Sequence, residues 1–292
     1  MTPLVVVAVL IAAVTHAGWN AIAHGIRDQL LAFTLVGGGG ALCGAVLAAF
    51  TPLPAAGAWP FLLGSAVLHV VYQALLMQSF RLGEFGQMYP IARGTAPLVV
   101  TVLAAVFVHE IPDAWALTGV VLASTGLVGV ALWGMRGARR KGPEGTSGPS
   151  VQWPAITAAL ATGLAIAAYT TVDGLGVRAS GTPLGYIAWL MVLEGIAIPA
   201  YALATRRRAL LTQLRPIALR GLLGGVLSVF AYGLVLWAQT KAPLAPVAAL
   251  RESSIIVGAA IGAVFFKERF GAPRIAAAGL MVVGIGLMLH AG

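Results

Sequence analysis

Charge is what this sequence has least of. Asp, Glu, Lys and Arg make up only 9% of its 292 residues, against 59% hydrophobic residues and a mean hydropathy of +0.93, a balance far outside that of soluble domains. A soluble enzyme or binding module is excluded. Cysteine is almost missing too: Cys43 stands alone, so neither an intrachain disulfide nor a cysteine metal cluster can form. There is no Walker-type phosphate loop, no dinucleotide fingerprint after a strand, no zinc-ligand spacing and no nucleophile elbow. These absences exclude an ATP-driven pump for this chain and leave no cofactor or metal to expect. Acidic residues are half as numerous as basic ones, 9 against 18, for a net charge of +9. In a membrane chain that surplus is an orientation signal with anionic lipid headgroups as its partner, and nucleic acid is not expected.

What the chain has is long apolar runs. A helix needs roughly 20 apolar residues to cross the hydrocarbon, because every backbone polar group must be satisfied within the segment. That ruler finds ten spans: Thr2 to Ala23, Leu30 to Phe50, Pro60 to Phe80, Phe85 to Val108, Ala114 to Gly134, Trp153 to Val172, Leu184 to Thr205, Pro216 to Ala238, Leu244 to Phe266 and Pro273 to His290. No basic residue precedes the first run, so it reads as a retained helix and not a cleaved leader. The loops after odd-numbered spans hold fourteen Lys and Arg, among them Arg136, Arg206, Arg207, Arg208 and Lys267, whereas the opposite side has only Arg178 and Lys241. The positive-inside rule places the fourteen in the cytoplasm and both termini outside.

Within the stretch Tyr89 to Leu132, a framework of forty residues recurs from Arg251 to His290 without insertion or deletion. Arg93 and Glu110 stand seventeen apart, as do Arg251 and Glu268, and the same offset of 158 superposes Val99 on Val257, Phe107 on Phe265, Leu122 on Leu280 and Gly126 on Gly284. This is an internal duplication. The expected organisation is a five-helix repeat over residues 1–134, a Gly-, Pro-, Ser- and Arg-rich cytoplasmic linker over 135–152, and a second five-helix repeat over 153–292. Five is odd, so the copies must cross the membrane in opposite senses. The expected fold is an all-α integral membrane protein of ten transmembrane helices, two inverted five-helix repeats around a central cavity.

Polar residues inside such spans are costly unless they line a cavity or meet partners on another helix. They cluster here. His16, Trp19 and Asn20 end the first span; His69, Tyr72 and Gln73 lie on one stripe of the third; Tyr89 and Arg93 open the fourth. The second half supplies Tyr169, Trp189, Tyr232 and Arg251, with Glu194 in the seventh span and Glu252 in the ninth. Thr170 and Asp173 accompany Tyr169 where the first span has Asn20 and Ala23. Arg93 lies about 12 Å into its span at 1.5 Å per residue, and Arg251 about as deep from the other side. They either meet a substrate anion or form structural ion pairs with Glu194 or Glu252. Some aromatics, Trp237 above all, suit the lipid interface. Glycines 37–40 and Gly44 suit close helix packing.

The cluster His16-Ala17-Gly18-Trp19-Asn20, the run Met88-Tyr89-Pro90-Ile91-Ala92-Arg93-Gly94, and the closing Glu110 and Glu268 before glycine-containing last helices resemble the EamA type of the drug/metabolite transporter superfamily. The resemblance implies a ten-helix bundle with a central substrate cavity, relatives that export amino acids or small metabolites, an aromatic amino-acid exporter among them, and Trp19, Asn20, Tyr89 and Arg93 as cavity positions. The expected function is a secondary transporter, not an enzyme, exporting small metabolites by alternating access. Amino acids with aromatic or bulky side chains are favoured; an exporter of hydrophobic cations is the alternative, and a channel or scaffold the alternative of another class. The expected location is the cell membrane, of bacterial inner-membrane type, and the chain acts as a monomer or homodimer on a small-molecule substrate. Coupling to protons would need a group that titrates near neutrality; Glu194 and Glu252 are the carboxyl candidates.

Overall fold

The structure, a computed structural model, describes residues 1–82, 85–139, 153–257 and 272–290. Among these residues there is no strand. The helices are α1 (Pro3–His24), α2 (Gln29–Phe50), α3 (Trp59–Leu82), α4 (Phe85–Leu103), α5 (Ala114–Arg139), α6 (Trp153–Ala179), α7 (Pro183–Glu194), α8 (Ala197–Arg206), α9 (Ala209–Leu214), α10 (Ala218–Gln239), α11 (Leu244–Arg251) and α12 (Ala272–His290). Among the described residues, seven stretches are long and apolar enough to cross a membrane, and Ala114–Gly129 and Ile275–His290 are shorter apolar helices. Leu4, Val7, Ile11 and Val14 form an exposed apolar stripe on α1 while Val5, Ala8, Val9 and Ala12 are buried. That inside-out pattern is a liability in water and what lipid requires.

Several expected spans are interrupted. The seventh is broken after Glu194, where α7 stops at Gly195 and α8 resumes at Ala197, so Glu194 sits at a helix end and not within a continuous helix. The ninth stops at Arg251, turns through Glu252 and Ser253, and is helical again at 254–257; its remainder, 258–266, lies outside the described residues, as does Glu268. The fourth carries Pro90 and Pro97 and ends in a π-turn, Ala104–Val108, closed by His109 in the left-handed conformation. α5 runs on to Arg139, so the first residues of the expected linker are helical, and 140–152 lie outside the described residues.

Helix ends are tied by side chains, as apolar surroundings demand. Asp28 accepts from the Leu30 and Leu31 amides at 3.1 and 3.3 Å, Asp113 from Ala116 at 2.8 Å, and Thr182 from Gly185 at 3.1 Å. Glu110, the glutamate that closes the first repeat, accepts from the Leu244 amide at 2.7 Å and so caps α11. Arg178, expected on the side poor in cations, donates to the carbonyls of Gln239 and Ala242 at 2.8 and 3.0 Å and finishes α10. Arg206 pairs with Asp28 at 2.7 Å, joining the turn after α1 to the end of α8.

The chain forms two compact units, and neither is a sequence half. The first takes Met1–Val70, Val172–Ala242 and a segment that begins at Ser253; the second takes Val71–Thr171, Pro243–Glu252 and the last helix. In the first, the glycines of α2 meet α7 and α10 backbone to backbone. A Cβ on Gly44 would lie 2.6 Å from the Ala188 carbonyl oxygen, one on Gly225 2.8 Å from Gly39 and Gly40, and one on Gly195 2.5 Å from the Gly37 carbonyl oxygen. In the second, α5 and α12 pack antiparallel. Gly119 meets Gly284, and a Cβ on Gly284 would lie 2.6 Å from the Gly119 oxygen, while one on Gly126 would lie 3.1 Å from that of Ala277. The offset of 158 carries Gly119 to Ala277 and Gly126 to Gly284, so each of these contacts is the repeat image of the other. Gly37 and Gly195, also 158 apart, touch each other directly.

With no room for a methyl group at the α5–α12 contact, Gly284→Ala is expected to cost about 1–3 kcal/mol, the usual penalty of overpacking. Gly279→Ala, where nothing lies within 4 Å, is the control. Thermal unfolding in detergent, followed by tryptophan fluorescence, checks the difference.

Candidate functional site

The second unit holds a buried cation cluster. Gly163 lets α6 cross tightly against α4, since a Cβ there would lie 2.7 Å from the Ala92 carbonyl oxygen, and Gly94 does the same for α5, where Leu127 would be 2.9 Å away. Arg93 stands between these close approaches, only 2% exposed. α11 reaches it along an apolar seam in which Val100 and Ala104 pack with Ala167, Leu244, Ala245 and Ala248. The break after α11 then presents Glu252, whose Oε2 lies 2.7 Å from Arg93 Nε. Arg251 Nη2 lies 3.6 Å from the other oxygen, Oε1, and Arg251 Nε is buried without a hydrogen-bond partner. Two guanidinium groups therefore converge on one carboxylate. The ring of Tyr89 lies under Arg93, its centroid 5.8 Å from Cζ, a cation–π contact. Tyr72 and Tyr169 meet edge to face at 5.4 Å and lie near enough to Arg93 to interact with its charge. Gln73 follows on α3, half-buried.

The first unit holds a second cluster of opposite character. Asp173 on α6 is fully buried; its Oδ1 accepts from the Tyr186 hydroxyl at 2.9 Å and its Oδ2 from the Tyr232 hydroxyl. Gly176 makes room for the Tyr186 ring, which a Cβ there would meet closely. The Tyr232 ring stands edge-on to His69 at 5.6 Å. His69 Nδ1 lies 3.4 Å from Glu194 Oε2 and 3.1 Å from Ser65 Oγ. Trp189 and Trp59 stack edge to face at 5.2 Å beside this group. On α1, Trp19 Nε1 donates to His16 Nδ1 at 3.2 Å and Asn20 donates to the His16 carbonyl at 2.8 Å, so this cluster is tied together along its own helix.

Of the expected site residues, Tyr72, Gln73, Tyr89, Arg93, Tyr169, Arg251 and Glu252 thus belong to the second unit, and His16, Trp19, Asn20, His69, Trp189, Glu194 and Tyr232 to the first. Of the two expected carboxylate partners for the arginines, Glu252 is the one in contact; Glu194 meets His69. Sequence reasoning left Asp173 and Tyr186 out of the site. A carboxylate buried in a 27-residue apolar helix was the available signal, and a phenol within reach of it was not.

Residues 153–290, from the start of α6 to the end of α12, match the EamA-like transporter family. The match spans the second half of the chain. That family is part of the drug/metabolite transporter superfamily, and the match supports the resemblance over the second half of the sequence. A solved crystal structure superposes with a TM-score of 0.73 over 98% of this chain and 96% of the other at 13% identity, which establishes a shared fold. No curated protein sequence matches the chain. The family is one of transporters, and the apolar helices make this a multi-pass membrane protein.

Removing one phenol donor from a buried carboxylate should be costly. Tyr186→Phe is expected to lower stability by about 1.5–3 kcal/mol, the scale for a hydrogen bond to a charged group, and Tyr201→Phe, on an exposed ring, to leave it unchanged. Chemical denaturation in mixed micelles provides the measurement.

Proposed function

We propose that this EamA transporter exports small carboxylate-bearing metabolites, amino acids with aromatic or bulky apolar side chains foremost, by alternating access. The observation that carries the reading is the buried group of Arg93, Glu252 and Arg251 beside Tyr72, Tyr89 and Tyr169. Guanidinium groups recognise a carboxylate strongly where water is excluded, and the phenol rings offer flat apolar surface to an aromatic side chain. Broken helices at the polar residues suit a transporter, in which irregular backbone at membrane depth belongs beside a cavity. The hydrophobic-cation alternative calls for an open carboxylate; both Asp173 oxygens are engaged by phenols, and Glu194 faces His69.

The reading includes ten transmembrane helices in two inverted repeats, residues 1–134 and 153–292 joined by the linker 135–152, in a bacterial inner membrane with both termini outside. The reciprocal contacts of α5 with α12, each the repeat image of the other, and the direct Gly37–Gly195 contact support a local two-fold relation between the copies. Coupling to protons is part of the proposal through Glu194 with its neighbour His69; Glu252, held by two arginines, suits that role less well.

Reconstituted in liposomes, the protein is expected to give saturable flux of phenylalanine, tyrosine or leucine and none of cationic dyes. Ohmic single-channel currents, or dye flux without amino-acid flux, contradict the proposal. Topology is read separately: after Cys43 is replaced, a cysteine at Ser147 should react only from the cytoplasm and a C-terminal tag only from outside.

A further inference from the structure

Glu252 is an unusual partner for two arginines. It is 1% exposed, yet neither of its side-chain oxygens accepts a hydrogen bond of good geometry; what holds it is the close approach of Arg93 and the longer contact to Arg251. A buried ion pair that serves the fold alone needs its remaining lone pairs and protons satisfied to offset desolvation. Here they are left over on both sides. Arg251, 3% exposed, keeps an Nε without a partner, and Glu252 stands in the turn after α11 rather than inside a helix, where a few backbone dihedrals can move it. The cluster is built like a carboxylate site with one place already taken.

Resting on the transport reading above, we infer that Glu252 is an internal occupant of a two-arginine carboxylate site: it holds Arg93 and leaves Arg251 to a single carboxylate of the ligand. Two consequences follow from charge. A ligand with one carboxylate brings the cluster to neutrality, two guanidinium charges against two carboxylates. A ligand with two carboxylates must displace Glu252 or sit against it in a low-dielectric site, where like charges repel strongly. Glu252 therefore acts as a specificity residue that selects monocarboxylates by occupying the second place.

The test is binding of matched ligands to the purified full chain in nanodiscs by calorimetry: 3-phenylpropionate, its amide, and the dianion benzylsuccinate. The wild-type chain is expected to bind the acid at least about tenfold more tightly than the amide, in line with a charge-assisted hydrogen bond, and to bind benzylsuccinate more weakly than the acid. Glu252→Gln should tighten benzylsuccinate about tenfold or more and reverse that order. Arg251→Gln should erase the preference for acid over amide while the amide still binds. The inference is overturned if acid and amide bind equally, if no acid binds, or if Glu252→Gln leaves the order of mono- and dianion unchanged. Should Glu252→Gln fail to fold, Arg251→Gln decides alone, since an unchanged preference for the acid overturns the assignment. Acid binding without amino-acid flux in liposomes would remove the transport reading and leave this inference standing.

Discussion

An arginine cannot be left alone in an apolar bundle, and much of this structure answers that constraint. An unpaired guanidinium at membrane depth costs several kcal/mol even after snorkelling and local adjustment. Arg93 is buried among α4, α5 and α6, so a carboxylate must come to it. Glu252 does so because α11 ends at Arg251 and the chain turns there. The helix break and the ion cluster lie at the same place in the chain.

Close packing makes this possible. In lipid there is little hydrophobic drive to press helices together, so association relies on van der Waals contact between small residues. The glycines of α2, α5, α7, α10 and α12 let backbones touch, and the two that flank Arg93, Gly94 and Gly163, do so at the site. Where α5 meets α12, the small residues occupy corresponding positions of the two copies.

The two polar clusters differ in sign. Around Arg93 and Arg251 cations outnumber the carboxylate that meets them. Around Asp173 and Glu194 carboxylates meet phenols and a single imidazole. Each draws its members from more than one helix, and each sits where the helical course is broken or a glycine has opened space. The cationic cluster suits an anion and the acidic one a proton, which is why substrate recognition and energy coupling are assigned to different residues.

The sequence by itself determined the membrane class, the apolar character of the helices and the spacing that recurs at an offset of 158, and it singled out a short set of polar residues with reason to lie inside a bundle. Those are written in hydropathy and spacing, which are local and survive without knowledge of partners. It also pointed to the EamA family, because the repeated arginine and closing glutamate are linear marks. Only the tertiary structure decided that Arg93 meets Glu252 while Glu194 meets His69, that Glu110 caps α11, and that Asp173 is enclosed by Tyr186 and Tyr232. The breaks at Gly195 and after Arg251 were equally illegible, since hydropathy averages over a window and does not register a single turn. Pairing among charges depends on which helices are neighbours, and in apolar surroundings a small change in register changes the partner.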